Sequence, residues 1–124
     1  MKSEVQEHLS RAVEFLHAAD LLKANQLYDI ALGRAYYAMF HAATAALMEK
    51  GIERSSHHAL IAAFGQFIVK PGLLDRRFLS YLQDAFAARI DGDYGSLPSA
   101  DGEKVTIHIE RARQFVQVCR ALCI

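Results

Sequence analysis

The stretch GRAYYAMFHAATAAL, Gly33 to Leu47, decides the fold of this 124-residue chain. It is apolar on every side yet carries one arginine and one histidine, Arg34 and His41. With about 100° of turn per residue, Leu27, Ile30, Tyr37, Ala38, His41, Ala45 and Met48 fall within about 60° of Arg34. The opposite side holds Leu32, Tyr36, Met39, Phe40, Ala43 and Leu47 and is equally apolar. A helix that is apolar all round has to be covered all round. The pattern predicts that this helix is the central element of a helical bundle, with one side also lying in a dimer interface. It also predicts that Arg34 and His41 are embedded among apolar side chains. A buried arginine keeps its charge and needs a partner there.

Helical periodicity continues on both sides, and strand signals are missing. Val5, Leu9, Ala12, Leu16 and Ala19 form the stripe of a first helix running to about Lys23, with Ser3 and Gln6 spaced as a capping box. Asn25 reads as the cap of the second helix, which runs to about Lys50 and stops at Gly51. Ser55 or Ser56 caps a third helix through HHALIAAFGQFIV, ended by Lys70-Pro71-Gly72. Asp75 opens a fourth, RRFLSYLQDAFAARI, with Leu74, Phe78, Leu82, Ala85 and Arg89 in line. DGDYGSLPSADG, residues 91–102, reads as the longest loop. Ser99 or Asp101 then caps a fifth helix, with Val105, Ile109, Ala112, Val116, Cys119 and Cys123 on one side. Short links between such helices imply an all-α fold, an up-and-down antiparallel bundle of four to five helices in one domain, 1–124.

The 14 basic and 14 acidic side chains cancel. No global basic field draws nucleic acid, so any anion or nucleic-acid site has to be a local cluster. Cys119 and Cys123 share a helix face, where a disulfide is awkward, and they read as small buried apolar residues. The polar start MKSEVQEHLSR and the unpaired cysteines point to a reducing, cytoplasmic setting. The run Ile30–Met48 has the length of a membrane span, but Gly33, Arg34 and His41 interrupt it and charges flank it, so no membrane partner is expected.

Arg34 and His41 are the candidate catalytic pair. Arginine offers a fixed fork of donors to phosphate oxygens, and histidine moves a proton near neutral pH. Together they could cleave RNA without a metal, with the arginine stabilising charge at phosphorus. The structural alternative is an arginine–carboxylate bridge beside a satisfied core histidine. Arg89, Asp93 and Tyr94, in ARIDGDYG, are candidate binding residues: an anion clamp with a ring to stack on a base. Read structurally, Arg89 complements a helix C-terminus and pairs with Asp91 or Asp93. Tyr37 shares the Arg34 face and, with His57, is a candidate binding residue; one of His57 and His58, at the start of the third helix, caps it or lines a cleft where anions are favoured. His57-His58 make a poor chelate, and no zinc or di-iron spacing is present, so neither a metal nor a cofactor is implied. Arg54, Lys70, Arg76 and Arg77 read as solvated surface or a weak nucleic-acid patch.

These residues carry a resemblance. GRAYYAMFHAATAAL is similar to the signature of HEPN-domain proteins, closest to a small stand-alone branch. HHALIAAFGQFIVKPGLL, AARIDGDYG and ERARQFVQVCRAL resemble later segments of that family, in the same order. The resemblance implies a bundle of four to five helices that forms homodimers. It also implies pairing with a minimal nucleotidyltransferase in toxin–antitoxin modules. Active members look like metal-independent ribonucleases with an arginine and a histidine four to six residues apart, the two copies meeting across the dimer. Arg34 and His41 are separated by six residues, but in the best-known active members the motif lies late in the bundle. At that place Arg89 maps onto the arginine, and Asp93-Tyr94 follow with no histidine. Two readings stand. One is a dimer that binds nucleotide or single-stranded RNA at Arg34, His41, Arg89 and Tyr94, extending to ribonuclease activity. The other is a non-catalytic module that dimerises through the second face of helix two and docks a nucleotidyltransferase.

Overall fold

The structure, a computed structural model, describes residues 2–95 and 100–124, without the side chains of Asp93 and Tyr94. Its helices are α1 (Ser3–Ala24), α2 (Tyr28–Glu49), α3 (His57–Phe64), α4 (Arg77–Tyr94) and α5 (Gly102–Leu122). A π-helical turn, Gly65–Val69, continues α3. There is no strand among the described residues. No helix among them is long and apolar enough to cross a membrane.

The α2 helix is the central rod. It packs against α1, α3, α4 and α5. Its alanines, among them Ala31, Ala35, Ala38, Ala42 and Ala46, are essentially closed to solvent and let neighbouring helices approach closely. Residue pairs fix the directions. His8 meets His41 and Phe15 meets Tyr37, so α1 and α2 are antiparallel. Tyr36 meets Phe86 while Asp29 meets Gly92, so α2 and α4 are antiparallel too. Phe78 and Phe115 pair α4 with α5 in the same sense as Arg111 with Asp84. The result is the expected up-and-down bundle. A single core runs through Leu32, Tyr36, Met39, Leu60, Phe64, Leu82, Ile109 and Phe115. A smaller cluster, Val5, Leu9, Ala45, Met48 and Cys123, holds the N-terminal half of α1.

Several local readings change. The second face of α2 (Leu32, Tyr36, Met39, Ala43, Leu47) is filled by the chain's own core, and Phe40 is half-buried, so this face is not a dimer interface. Ser3 lies inside α1 and caps nothing; Lys2 is the cap residue, and no side-chain capping bond forms. Asn25 does not open α2. It closes α1, its side-chain amide donating to the Leu21 carbonyl at 2.8 Å. Gln26 follows at φ 61°, and Leu27 N–H returns to the Leu22 carbonyl at 2.9 Å. This is a left-handed helix stop of the kind glycine usually makes. Gly51 makes the same stop for α2 at φ 77°, with Ile52 N–H on the Leu47 carbonyl at 2.9 Å. Ser56 and Asp101 do cap, accepting from Ala59 N–H at 3.1 Å and Lys104 N–H at 2.8 Å. Ser99, the alternative cap, lies outside the described residues.

The largest change is in α4. The fourth helix does not end at Ile90 but continues through Asp91, Gly92, Asp93 and Tyr94. Gly92 is the reason a turn-forming sequence stays helical. A Cβ at this position would sit 3.1 Å from the Asp29 carbonyl oxygen, so the bare backbone lets the last turn of α4 lie on the first turn of α2. Asp29 also accepts from Ala100 N–H at 3.2 Å, which ties the approach to α5 to the same place.

Candidate functional site

Three helices converge beside the middle of α2. Tyr36 is wholly buried, and its hydroxyl lies 2.7 Å from Nδ1 of His57, the first residue of α3. Burial raises the pKa of the Tyr36 phenol, Tyr37 adds to the rise and Arg89 opposes it. A buried phenol has to place its proton on an acceptor. His57 Nδ1 is the described one, so Tyr36 donates and the proton of the neutral imidazole sits on Nε2, on the edge turned away from Tyr36. Burial, then Arg89 and His58, hold the pKa of His57 below the ordinary histidine value.

Aromatic rings enclose that imidazole. Phe40 lies at 5.0 Å between centroids, Phe86 at 5.4 Å in near-parallel stacking, and Tyr37 at 5.9 Å. The half-buried Arg89 reaches in from α4, with its guanidinium carbon 5.3 Å from the centroid of Tyr37. That is cation–π distance, so the ring orients the fork of donors. A guanidinium, a neutral imidazole N–H and several aromatic faces make a set that suits phosphate oxygens and a planar base.

His41 lies one turn further along α2. Its Nδ1 is 3.0 Å from Nδ1 of His8 on α1, and Phe15 stacks on it at 5.4 Å. Burial first, then His8 and Arg11, pull its pKa down to about 4. Its other flank touches Phe40, so Phe40 separates His41 from His57.

Arg34 is not embedded. It is exposed, and it makes no hydrogen bond or ion pair with a described residue. The physical reason is its position on the strip of α2 left between α1 and α4, where Leu27 and Ile30 are also close to half exposed. It and His41 share a face, as the spacing implied, but the structure does not bring them together. Arg89, Tyr37 and His57 do come together. Asp93 and Tyr94 lie in the last turn of α4, and their side chains lie outside the described residues. No three His, Cys, Asp or Glu side chains among the described residues form a metal-binding group. Arg54, Lys70, Arg76 and Arg77 are all exposed, as a solvated surface would be.

Sequence reasoning missed Tyr36, Phe86 and His8. Tyr36 was assigned to a purely apolar face, although a buried tyrosine generally needs a hydroxyl partner. His8 could have been found from its place in His8, Arg11 and Phe15, a second stripe at helical spacing beside the apolar one. Phe86 carried no signal of its own.

The comparisons with known proteins agree with this architecture. The family described as HEPN domain matches residues 5–122. The chain is 34% identical over 119 residues to UPF0332 protein glr0978 of Gloeobacter violaceus, covering 95% of this chain and 94% of that protein. It is 35% identical over 112 residues to a UPF0332 protein of Thermotoga maritima, covering 90% and 85%. It is also 33% identical over 116 residues to a Methanocaldococcus jannaschii protein named "Putative toxin MJ0605", covering 94% and 86%. With the five-helix bundle and a match across nearly its whole length, the chain belongs to the HEPN domain family.

Proposed function

We propose that this chain binds nucleotide or single-stranded RNA at the Arg89–Tyr37–His57 cluster and acts as the toxin-type half of a toxin–antitoxin pair. The observation that carries the reading is the meeting of one guanidinium, one neutral imidazole and several aromatic rings from three helices. Phosphate oxygens accept from Arg89 and from His57 Nε2–H, and a base lies against the aromatic rings. Arg34, three residues before Tyr37 on the open strip of α2, adds a further phosphate contact. Tyr94 and Asp93, one turn beyond Arg89, border the same place in the sequence.

The reading extends to metal-independent cleavage. Attack by a 2′-hydroxyl needs one group to take its proton and another to protonate the leaving oxygen. His57 takes the second task as its imidazolium, giving its Nε2 proton to the leaving oxygen and returning to the neutral ring that accepts from Tyr36. His41, the other imidazole against Phe40, is the group for the first, and Arg89 stabilises charge at phosphorus. The toxin assignment draws on two relatives from Methanocaldococcus jannaschii whose names include "Putative toxin".

The test is fluorescence anisotropy with a labelled single-stranded oligoribonucleotide, followed by a cleavage assay in EDTA. Binding should be weakened at least tenfold by Arg89→Ala and by His57→Ala, and to a lesser degree by Arg34→Ala. Cleavage should be lost in His41→Ala. Equal affinity of wild type and Arg89→Ala would remove the proposal.

A second reading, a docking module, is favoured by one separate observation. Leu27, the cap residue of α2, is 46% exposed and Ile30 47%, and both precede Arg34 at helical spacing along one strip. This strip, rather than the second face of α2, is the place for a second copy or a minimal nucleotidyltransferase to dock. Ile30→Glu should abolish dimerisation or partner binding, measured by light scattering, without unfolding the chain.

A further inference from the structure

His8 is 33 positions from His41 in the sequence, and their Nδ1 atoms lie 3.0 Å apart. The ring centroids are 5.2 Å apart and the planes are within 28°. The centroid separation exceeds the nitrogen separation by close to the sum of two ring radii. The rings therefore meet nitrogen to nitrogen, edge on, in the arrangement of an N–H···N hydrogen bond. Such a bond holds one proton, because one nitrogen donates and the other accepts. It is the only side-chain hydrogen bond between α1 and α2 among the described residues.

We propose that His8 and His41 form a single-proton latch: one hydrogen shared by their Nδ1 atoms pins the N-terminal half of α1 to α2, and charging both rings, which puts a hydrogen on each Nδ1, opens it. A doubly protonated pair sets two N–H groups and two positive charges against each other at contact distance. Apolar packing also holds this half of α1, through Val5, Leu9 and Ala12, of which Ala12 joins the main core. Val5 and Leu9 belong to the satellite cluster with Ala45, Met48 and Cys123, separate from the main core. The charged groups around the pair are Glu4, Glu7, Arg11 and Glu14 on α1, and Glu53 and Arg54 from the α2–α3 link. On α2 itself the neighbours are the uncharged Phe40 and Thr44, and from α5 the Cys123 thiol reaches the adjoining cluster. Arg11 adds to the repulsion felt by His41. The acidic groups are all exposed, so water screens the relief they can give. When the latch opens, the surface cavity of about 630 Å³ lined by His8, Ser10, Arg11 and His41 widens.

Two measurements on the intact chain test this. Long-range nitrogen–proton NMR of the histidine rings at pH 7.5 should show one protonated and one bare Nδ1 across the pair. Amide exchange should show residues 5–12 losing at least about tenfold in protection factor between pH 7.5 and pH 5, relative to residues 105–116. In His41→Gln that extra loss should vanish, and in His8→Gln, where the burial of His41 remains but the facing imidazole does not, it should be smaller than in the wild type. Two rings that titrate independently at the ordinary histidine pKa would overturn the proposal. So would unchanged protection of residues 5–12 in the wild type, or an undiminished loss in either variant.

Discussion

The hydroxyl of Tyr36 and Nδ1 of His57 are 2.7 Å apart, and this bond joins the centre of α2 to the first turn of α3. It fixes the tautomer of His57 and thereby the character of the site. The proton of the imidazole faces away from the core, beside a guanidinium held over Tyr37. A site built this way offers donors to an anion without adding a second positive charge at neutral pH.

Tyr36→Phe tests that bond directly. The ring stays and only the hydroxyl is lost, so packing is preserved. We expect a loss of about 0.5–1.5 kcal/mol in urea unfolding. His57 should also lose its fixed tautomer in ring-nitrogen NMR. An unchanged tautomer would show that the Tyr36 hydroxyl does not set it.

The exposed Gln26 holds a left-handed conformation at φ 61°. Glycine takes that conformation without steric cost. Gln26→Gly should therefore raise stability by up to about 1 kcal/mol, offset in part by greater freedom of the unfolded chain. A lower unfolding midpoint would contradict the helix-stop account.

Gly92→Ala should have the opposite sign. Its new Cβ would press on the Asp29 backbone at 3.1 Å, which cannot swing away as a flexible side chain could. A loss of about 1–3 kcal/mol is expected, with the last turn of α4 fraying first in hydrogen exchange. Full stability would mean that α4 and α2 are not packed this closely.

Acid should weaken the fold. His41, His57 and His108 all have folded pKa values below that of an unfolded histidine, in each case chiefly through burial. The unfolded chain then binds more protons in the window below pH 6.5. Stability is highest above that pH and falls as the pH drops toward about 4, the folded value of His41. Thermal melts from pH 8 to pH 4.5 should show a monotonic fall in Tm below pH 6.5. A flat profile would mean that these imidazoles are as solvated as in the unfolded chain.

Much of the fold was legible because it is written in apolar spacing. Val5, Leu9, Ala12 and Ala19 on α1, and Val105, Ile109, Ala112, Val116 and Cys119 on α5, are buried as their periodicity requires. The all-round apolarity of α2 correctly marked it as the central rod. What spacing could not reveal were the features decided by a second chain segment. Gly92 reads as a turn former until Asp29 lies against it, and Asn25 reads as a helix start until Gln26 turns left-handed behind it. The site followed the same rule. Arg34 and His41 share a helix face, which one segment can dictate. Whether an arginine on that face is covered depends on where α1 and α4 run, and they leave Arg34 open. Arg89 and His57 were each picked out singly, whereas their meeting over Tyr36 and Tyr37 is a property of the assembled bundle.

The central claim is that Arg89, Tyr37 and His57 together receive a phosphate and a base. The most direct measurement is a titration of the isotope-labelled chain with a short single-stranded oligoribonucleotide, followed by aromatic and arginine side-chain NMR. The account predicts saturable shifts at Tyr37, His57, Phe86 and Arg89, with smaller ones at Arg34. Shifts confined to the exposed Arg54, Lys70, Arg76 and Arg77 surface, or none at the cluster at saturating ligand, would contradict it.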